Sequence, residues 1–453
     1  MAKDKLTDYD SVASSNLDVG GISVAEGMLP SGVNNAIREQ MSHLADFAAG
    51  TSGVDVLKLQ DDTDTNSIKL QAPASVTATT TFTLPDGDGA SGQAMITDGA
   101  GTLSWAAPYG NRNLIINGAM AVSQRGTSTT SVTSTGYHAC DRFKFLYTDA
   151  GTWTVSQSTD APDGFANSFK VECTTAKSSL ASNSRLFILQ ALEGQNLQQL
   201  KKGTSAAESI TLSFYVRTNK TGTYQVHVED NDNIRIIGST YTVSSANTWQ
   251  KVTVTFAGDT TGALDNDNGD SFAVFFALVA GTDNSSGAVP TAWEAKTNAD
   301  RGAGLNVNLA DATSNYWQIT GVQLELGDTA TPFEHRSYSD ELARCQWYYE
   351  RRGGASYQAL GSGLVGNGRD QTRITLNYNE KRAVPSIAVE GSLISTNREN
   401  YEADITGLTG TAAGTMSAYL ACTHSAAGTG LAAAVVTVKN GSPNSFFEIE
   451  SEL

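Results

Sequence analysis

SITLSFYVR, residues 209–217, alternates without a break: Ile210, Leu212, Phe214 and Val216 share one face, with polar or amphipathic residues between them. A repeat of two is the signature of a strand that buries one side. TYQVHVE repeats it with Tyr224, Val226 and Val228, and WQKVTVTF with Val252, Val254 and Phe256. SFAVFFALVAG is apolar on both faces and reads as a central strand. Alternation with polar outer faces predicts antiparallel sheets packed face to face. On this pattern His227 occupies an outward, surface position. About eight such strands between residues 111 and 352 predict a β-sandwich of jelly-roll type with generous loops. VQLELG alternates like a strand and closes on Gly327 and Asp328, and TATPFEHR is a polar, Pro-broken tail that leaves the sheet. Tyr316 and Trp317 face opposite ways, so one of them is buried.

The rest of the composition agrees with a mainly β chain. Its 453 residues exceed one ordinary domain. Forty-three glycines, 40% apolar and 17% charged residues suit short strands and tight turns better than helical bundles. Thirty basic against 47 acidic residues give a net charge of −17, which repels a phosphate backbone and argues against a nucleic-acid partner. Cys140, Cys173, Cys345 and Cys422 are widely spaced without CxxC and read as buried, reduced thiols. MAKDKLTDYDS lacks the apolar core of a signal peptide, and AVFFALVAG is too short to span a bilayer. Synthesis in a cytoplasm without membrane insertion is the expectation.

Four segments follow. Residues 1–50 contain one amphipathic helix in LPSGVNNAIREQMSHLADFAAG, opened by Pro30 and Ser31 and followed by Gly50. Its stripe of Ile37, Met41, Leu44 and Ala48 needs a partner surface: a neighbouring domain, copies of itself, or another protein. Residues 51–110 carry short strands in VDVLKLQ, NSIKLQAP, TTTFTLP and GQAMITDGAGTLSWAAP. One copy holds too little apolar mass for a core, so identical chains are expected to wrap together as an intertwined shaft. Residues 111–352 are the sandwich, ending in a short helix over residues 339–349. Residues 353–453, with TRITLNYN, SIAVEGSL, LAAAVVTVKN and SFFEIESEL, form a separate C-terminal β-domain, expected as a β-sandwich tip.

Candidate chemistry is sparse. Sugar rings stack their C–H faces on aromatic side chains and take hydrogen bonds from polar neighbours, which makes Trp153, Trp249 and Trp293 the candidate glycan platforms. The loops VEDNDN (228–233) and DTTGALDNDNGD (259–270) concentrate the oxygen ligands that calcium takes, with Asp265, Asp267 and Asp270 as candidates. The second loop lacks the downstream Glu and flanking helix of an EF-hand. Five isolated histidines and the lack of GxSxG or HExxH give no catalytic constellation. No cofactor beyond possible calcium and no enzyme activity is expected.

Several stretches together resemble phage tail fibres. GGISVAEGMLPSGVNNAIREQMSHL looks like a tail-attachment segment, NLIINGAMAVSQRGTS like the entry to a receptor-facing sandwich, and WQITGVQLELGDTATPFEHRSYSDELARCQWYYER like its exit. The sandwich is similar to carbohydrate-binding jelly rolls, and NYNEKRAVPSIAV and FFEIESEL are similar to fibre-tip domains. The resemblance implies a homotrimer in the virion tail, joined to tail proteins by its N-terminal segment and adsorbing to host-surface polysaccharide. The same family contains depolymerising spikes, usually built on a long β-helix whose repeats this chain lacks. A polysaccharide-cleaving tailspike and a non-enzymatic virion adaptor remain the alternatives.

Overall fold

The computed structural model describes residues 15–19, 21–25, 27–48, 56–60, 67–71, 81–87, 94–97, 100–106, 112–365, 371–397, 402–425, 432–442 and 444–453. The chain divides into two units, Met1–Pro108 and Tyr109–Leu453.

In the first unit the expected helix runs Pro30–Ala48. Proline suits its first turn, where the backbone N–H has no intrahelical partner. A small hairpin, Asp18–Val19 with Ile22–Ser23, lies against it, and Ala36 and His43 are buried. Ile37, Met41 and Leu44 are instead 52%, 63% and 55% exposed. Further along, Val56–Gln60 pairs with Ser67–Gln71 and Ala94–Thr97 with Leu103–Ala106, each a hairpin within one chain. Phe82, Leu84 and Met95 remain exposed.

The second unit holds an antiparallel sandwich of two sheets. One has six strands, in spatial order Gln250–Phe256, Ile210–Thr218, Tyr316–Leu326, Ser168–Thr175, Thr152–Ser158 and Ser128–Val132. The other has seven: Glu294–Ala295, Arg235–Val243, Gly222–Asp230, Asp270–Ala280, Arg185–Glu193, Lys144–Thr148 and Gly136–Tyr137. Sequence reading expected fewer strands because the short edge strands carry little alternation. Ile210, Leu212, Phe214 and Val216 enter one continuous core with Val226, Val228, Phe276 and Trp317, as the repeat of two requires. Trp317 is the buried member of its pair with Tyr316. Inward positions shift from Trp317 and Ile319 to Val322 and Leu324 at a bulge against Ser213–Tyr215. Gly321 sits there at φ +63°, and a Cβ would stand 2.7 Å from Phe165 and 3.0 Å from Tyr215.

The outer face of the seven-stranded sheet is closed, which corrects the surface position expected of His227. Its ring is fully buried, stacked 4.7 Å from Phe275 and edge-on to Phe187. Alternation gives the outward direction, but residues 296–301 fold back over this face. Glu229 receives Arg301 Nε at 2.5 Å and Nη2 at 2.9 Å, with Lys296 Nζ at 3.3 Å. His227 Nε2 lies 3.2 Å from the same carboxylate, while its buried Nδ1 has no partner.

Burial holds the His227 pKa below its ordinary 6.5. Burial alone would raise the Glu229 carboxyl, but the hydrogen bonds and positive charge of His227 and Arg301 hold it well below 4.5. Both groups therefore bind protons more readily in the unfolded chain. Their contribution is complete above pH 6.5 and is lost as pH falls through each ordinary value toward the folded one. Each unit of separation is worth about 1.4 kcal/mol. The denaturant midpoint is expected to fall from pH 7.5 to pH 5, and His227→Gln to flatten that part of the profile. A wild-type profile already flat over this range would contradict the assignment.

C-terminal to the sandwich, Ser337 caps the helix Tyr338–Gln346, its Oγ accepting from the Asp340 N–H at 3.2 Å. The expected C-terminal sandwich is instead a closed barrel with a small sheet beside it. Six strands close in the order Ala359–Val365, Gln371–Asn377, Ser417–His424, Glu402–Ala413, Leu393–Asn397 and Ala432–Val438. Closure follows from pairing the first strand with the last, Ser362 opposite Val435 and Gly363 opposite Ala434. A closed barrel leaves no edge strand unpaired. Tyr349–Gly353, Phe446–Glu450 and Ser386–Glu390 form the adjoining three-stranded sheet.

Candidate functional site

The outer face of the six-stranded sheet is closed at one end and open at the other. At the closed end the strap after Leu326 folds back over its own strand. Thr331 donates its N–H and hydroxyl to Glu325 at 2.9 and 2.6 Å, and the Glu334 N–H reaches Gln323 at 2.8 Å. Gln323 and Glu325 are consequently buried. Phe333 and His335 of the strap gather with Phe165, at centroid distances of 5.0 and 5.3 Å, and Phe165 lies 5.5 Å from Tyr215.

At the open end the register sets up a row across the sheet. Arg217 stands opposite Gln318, Gln318 opposite Lys170, and Lys170 opposite Ser156. Gln318 is itself buried, its amide reaching Ser158 and Ser168, so the accessible side chains of the row are those that flank it. Side chains at such positions share a face and touch their cross-strand neighbours. Asp160, from the loop between two strands, accepts from Arg217 Nη1 and, at 3.3 Å, from the indole Nε1 of Trp249. Next to them, Tyr316 donates its hydroxyl to Asn247 at 2.6 Å and carries Lys170 Nζ 5.0 Å above its ring. Lys170 also pairs with Glu172. Trp249 and Tyr316 are half-buried, and the Asp160 carboxylate is 44% exposed.

This arrangement presents two aromatic rings held by their polar edges, flanked by carboxylates and cations already oriented by one another. Rings of this kind offer apolar faces to sugar C–H groups, and the surrounding charged groups supply acceptors and donors for hydroxyls. Because partners fix the side chains beforehand, less conformational freedom is lost when a ligand arrives.

Of the tryptophans expected as platforms, only Trp249 belongs to this face. Trp153 is a correction: it is fully buried, its Nε1 donating to the Ala150 carbonyl at 2.8 Å, so no sugar reaches its ring. Its inward direction follows from the strand Thr152–Ser158, where Trp153 and Val155 share the core side. Trp293 is half-buried, but its ring is taken up by Phe272 at 5.8 Å and the Lys202 ammonium at 5.4 Å. Its Nε1 donates to Ala257 at 2.7 Å.

Asp265, Asp267 and Asp270 do not assemble into the expected calcium site. Asp265 is exposed, Asp267 receives the Gly269 N–H at 2.8 Å, and Asp270 receives Asn231 Nδ2 at 3.0 Å. Asp267 and Asp270 each turn to a different neighbour, and among the described residues no three His, Cys, Asp or Glu side chains converge as a metal-ligand set. Sequence reasoning missed Asp160, Arg217, Lys170 and Tyr316. Outward alternation marks Arg217 and Lys170, but nothing in the loop around Asp160 marks it.

No family model and no curated protein matches this chain. Among solved structures, a putative sugar binding protein from Bacteroides thetaiotaomicron is 14% identical. It covers 48% of this chain and 100% of its own, at a TM-score of 0.27. A family 11 carbohydrate-binding module from Clostridium thermocellum is 9% identical, with coverage of 46% and 99% and a TM-score of 0.23. The enzymatically active domain of tailspike protein 4 of bacteriophage CBA120 is 12% identical at a TM-score of 0.26. That match takes in 47% of this chain but 21% of the tailspike chain.

Proposed function

We propose that this protein is a non-enzymatic bacteriophage tail fibre that adsorbs to host-surface glycans through the open end of its six-stranded sheet. The observation that carries this reading is the convergence of Trp249, Asp160 and Arg217 beside Tyr316 on an accessible outer face, while the opposite sheet's outer face is closed. The fibre role rests on the sequence resemblance at both ends of the sandwich. In this reading the N-terminal segment joins tail proteins, with Ile37, Met41 and Leu44 offering the apolar contact. Three copies present three weak glycan sites on one stalk, and simultaneous engagement multiplies their hold without new contacts.

Trp249→Ala tests the site. It removes a half-buried ring from an edge position, so the thermal midpoint should stay close to wild type while retention on host polysaccharide falls at least about tenfold, the loss of one stacking platform. Pull-down of purified host-surface polysaccharide by the full-length chain, with reducing ends counted in the same tube, checks both halves of the proposal. Undiminished retention by the variant would move the site elsewhere, and new reducing ends with the wild type would make the protein a depolymerase.

A further inference from the structure

The two loops rich in acidic and amide side chains do meet, around a different pair of carboxylates. Asp230 ends the strand Gly222–Asp230, and Asp259 follows Gln250–Phe256. Between them stands the ammonium of Lys202: Asp230 Oδ2 at 2.5 Å, Asp259 Oδ2 at 3.0 Å, and the carbonyls of Thr261 and Gly262 at 2.8 and 2.9 Å. The Lys202 side chain is 4% exposed and the two carboxylates 0% and 3%. Other donors fix the cage from outside. Asn233 donates its N–H to Asp230 at 3.0 Å, and Asp259 takes Arg235 Nε at 2.7 Å and the Thr261 N–H at 3.0 Å. Four inward oxygens, two of them anionic, are the kind of ligand a hard cation takes, with waters completing its shell, and here an ammonium with three N–H groups stands among them.

We infer that these loops form a cation site whose resident occupant is the Lys202 ammonium, and that truncating Lys202 converts the cage into a site for a divalent cation of calcium's size. The physical reason is charge. Arg235 offsets one of the two buried carboxylates, and Lys202 offsets the other. Removing the ammonium leaves an uncompensated buried anion, which is strongly unfavourable unless another cation enters. Calcium accepts irregular oxygen cages, whereas magnesium demands near-octahedral geometry at shorter distances. The inference stands independently of glycan binding.

The test compares full-length wild type, Lys202→Ala and Lys202→Met in chelator, in calcium chloride and in magnesium chloride. Wild-type thermal stability should be the same in all three. Lys202→Ala should melt roughly 5–10 °C lower in chelator and recover most of that loss in calcium but not in magnesium. Lys202→Met fills the same space without charge, so it should be destabilised and stay so in calcium. Terbium serves as a direct probe: Trp293, 5.4 Å from the ammonium, should sensitise its emission in Lys202→Ala and not in wild type. The inference is overturned if Lys202→Ala gains nothing from calcium or fails to fold even with it. It is equally overturned if Lys202→Met is as stable as wild type, or if wild type itself gives sensitised terbium emission.

Discussion

Arg142→Ala is expected to uncouple the sandwich from the C-terminal barrel and its small sheet, at a cost of about 3–5 kcal/mol. The Arg142 side chain is fully buried. It pairs with Glu452 through Nη1, donates Nη2 to the Ala191 carbonyl at 2.7 Å and lies 3.4 Å from the ring centre of Tyr348. One guanidinium thus ties the core strand Arg185–Glu193 to the segment after the helix Tyr338–Gln346 and to the end of the chain. Removing it leaves Glu452, itself 4% exposed, with Arg125 at 3.3 Å as its remaining cation. A buried pair contributes little over a well-packed apolar substitute, whereas half a pair is costly. Arg142→Met with Glu452→Met should therefore recover part of the loss. Calorimetry of Arg142→Ala should resolve two transitions where wild type gives one coupled unfolding. A single transition at the wild-type midpoint would show that the other ties across this joint suffice without it: Arg382 to the Ser451, Asn268 and Glu452 carbonyls, Trp347 Nε1 to Glu193, and Tyr137 and Lys144 to the Leu453 carbonyl.

Trp317→Ala should cost a further class of stability, about 3–5 kcal/mol, through the cavity it opens between the sheets. The ring is fully buried, 5.7 Å from Phe276, and its Nε1 donates to the hydroxyl of Tyr241 at 3.3 Å. Burial pushes the Tyr241 phenol far above its ordinary range, so this hydroxyl stays neutral. Trp317→Phe keeps most of the volume but removes the indole donor, and should cost about 1–3 kcal/mol. Urea midpoints of the two variants should fall in that order. The contrast with Trp249→Ala is the informative one: two tryptophans of the same sandwich, one expected to move stability and the other retention of polysaccharide. Equal midpoints for Trp317→Ala and wild type would contradict the packing assigned to the strand Tyr316–Leu326.

The sandwich was legible because its strands carry their burial in an unbroken repeat. Leu212, Phe214 and Val216 could point only one way together, and that direction had to be a core. The helix Pro30–Ala48 was legible for the same reason at a different period. The site was far less so. Asp160 reaches Arg217 across 57 residues and Trp249 across 89, and no local pattern encodes a contact from a loop to one strand and to the start of another. The three carboxylates singled out for calcium do not converge, on related grounds. Composition put acidic side chains in the correct pair of loops, but which of them turn inward, and that a lysine from a third segment stands among them, depends on long-range packing.

Local sequence determined what each segment could be. Period-two alternation made strands, and period 3.6 made the amphipathic helix Pro30–Ala48. Tertiary structure decided what alternation leaves degenerate. It set which polar face is covered, placing His227 under residues 296–301 while Arg217 stays at an accessible face. It also set whether strands of identical pattern stack as two sheets or close on themselves, as Ala359–Val365 does by pairing with Ala432–Val438. The physical reason is that a strand's own residues fix the direction of each side chain, whereas burial depends on whatever the rest of the chain brings to that side.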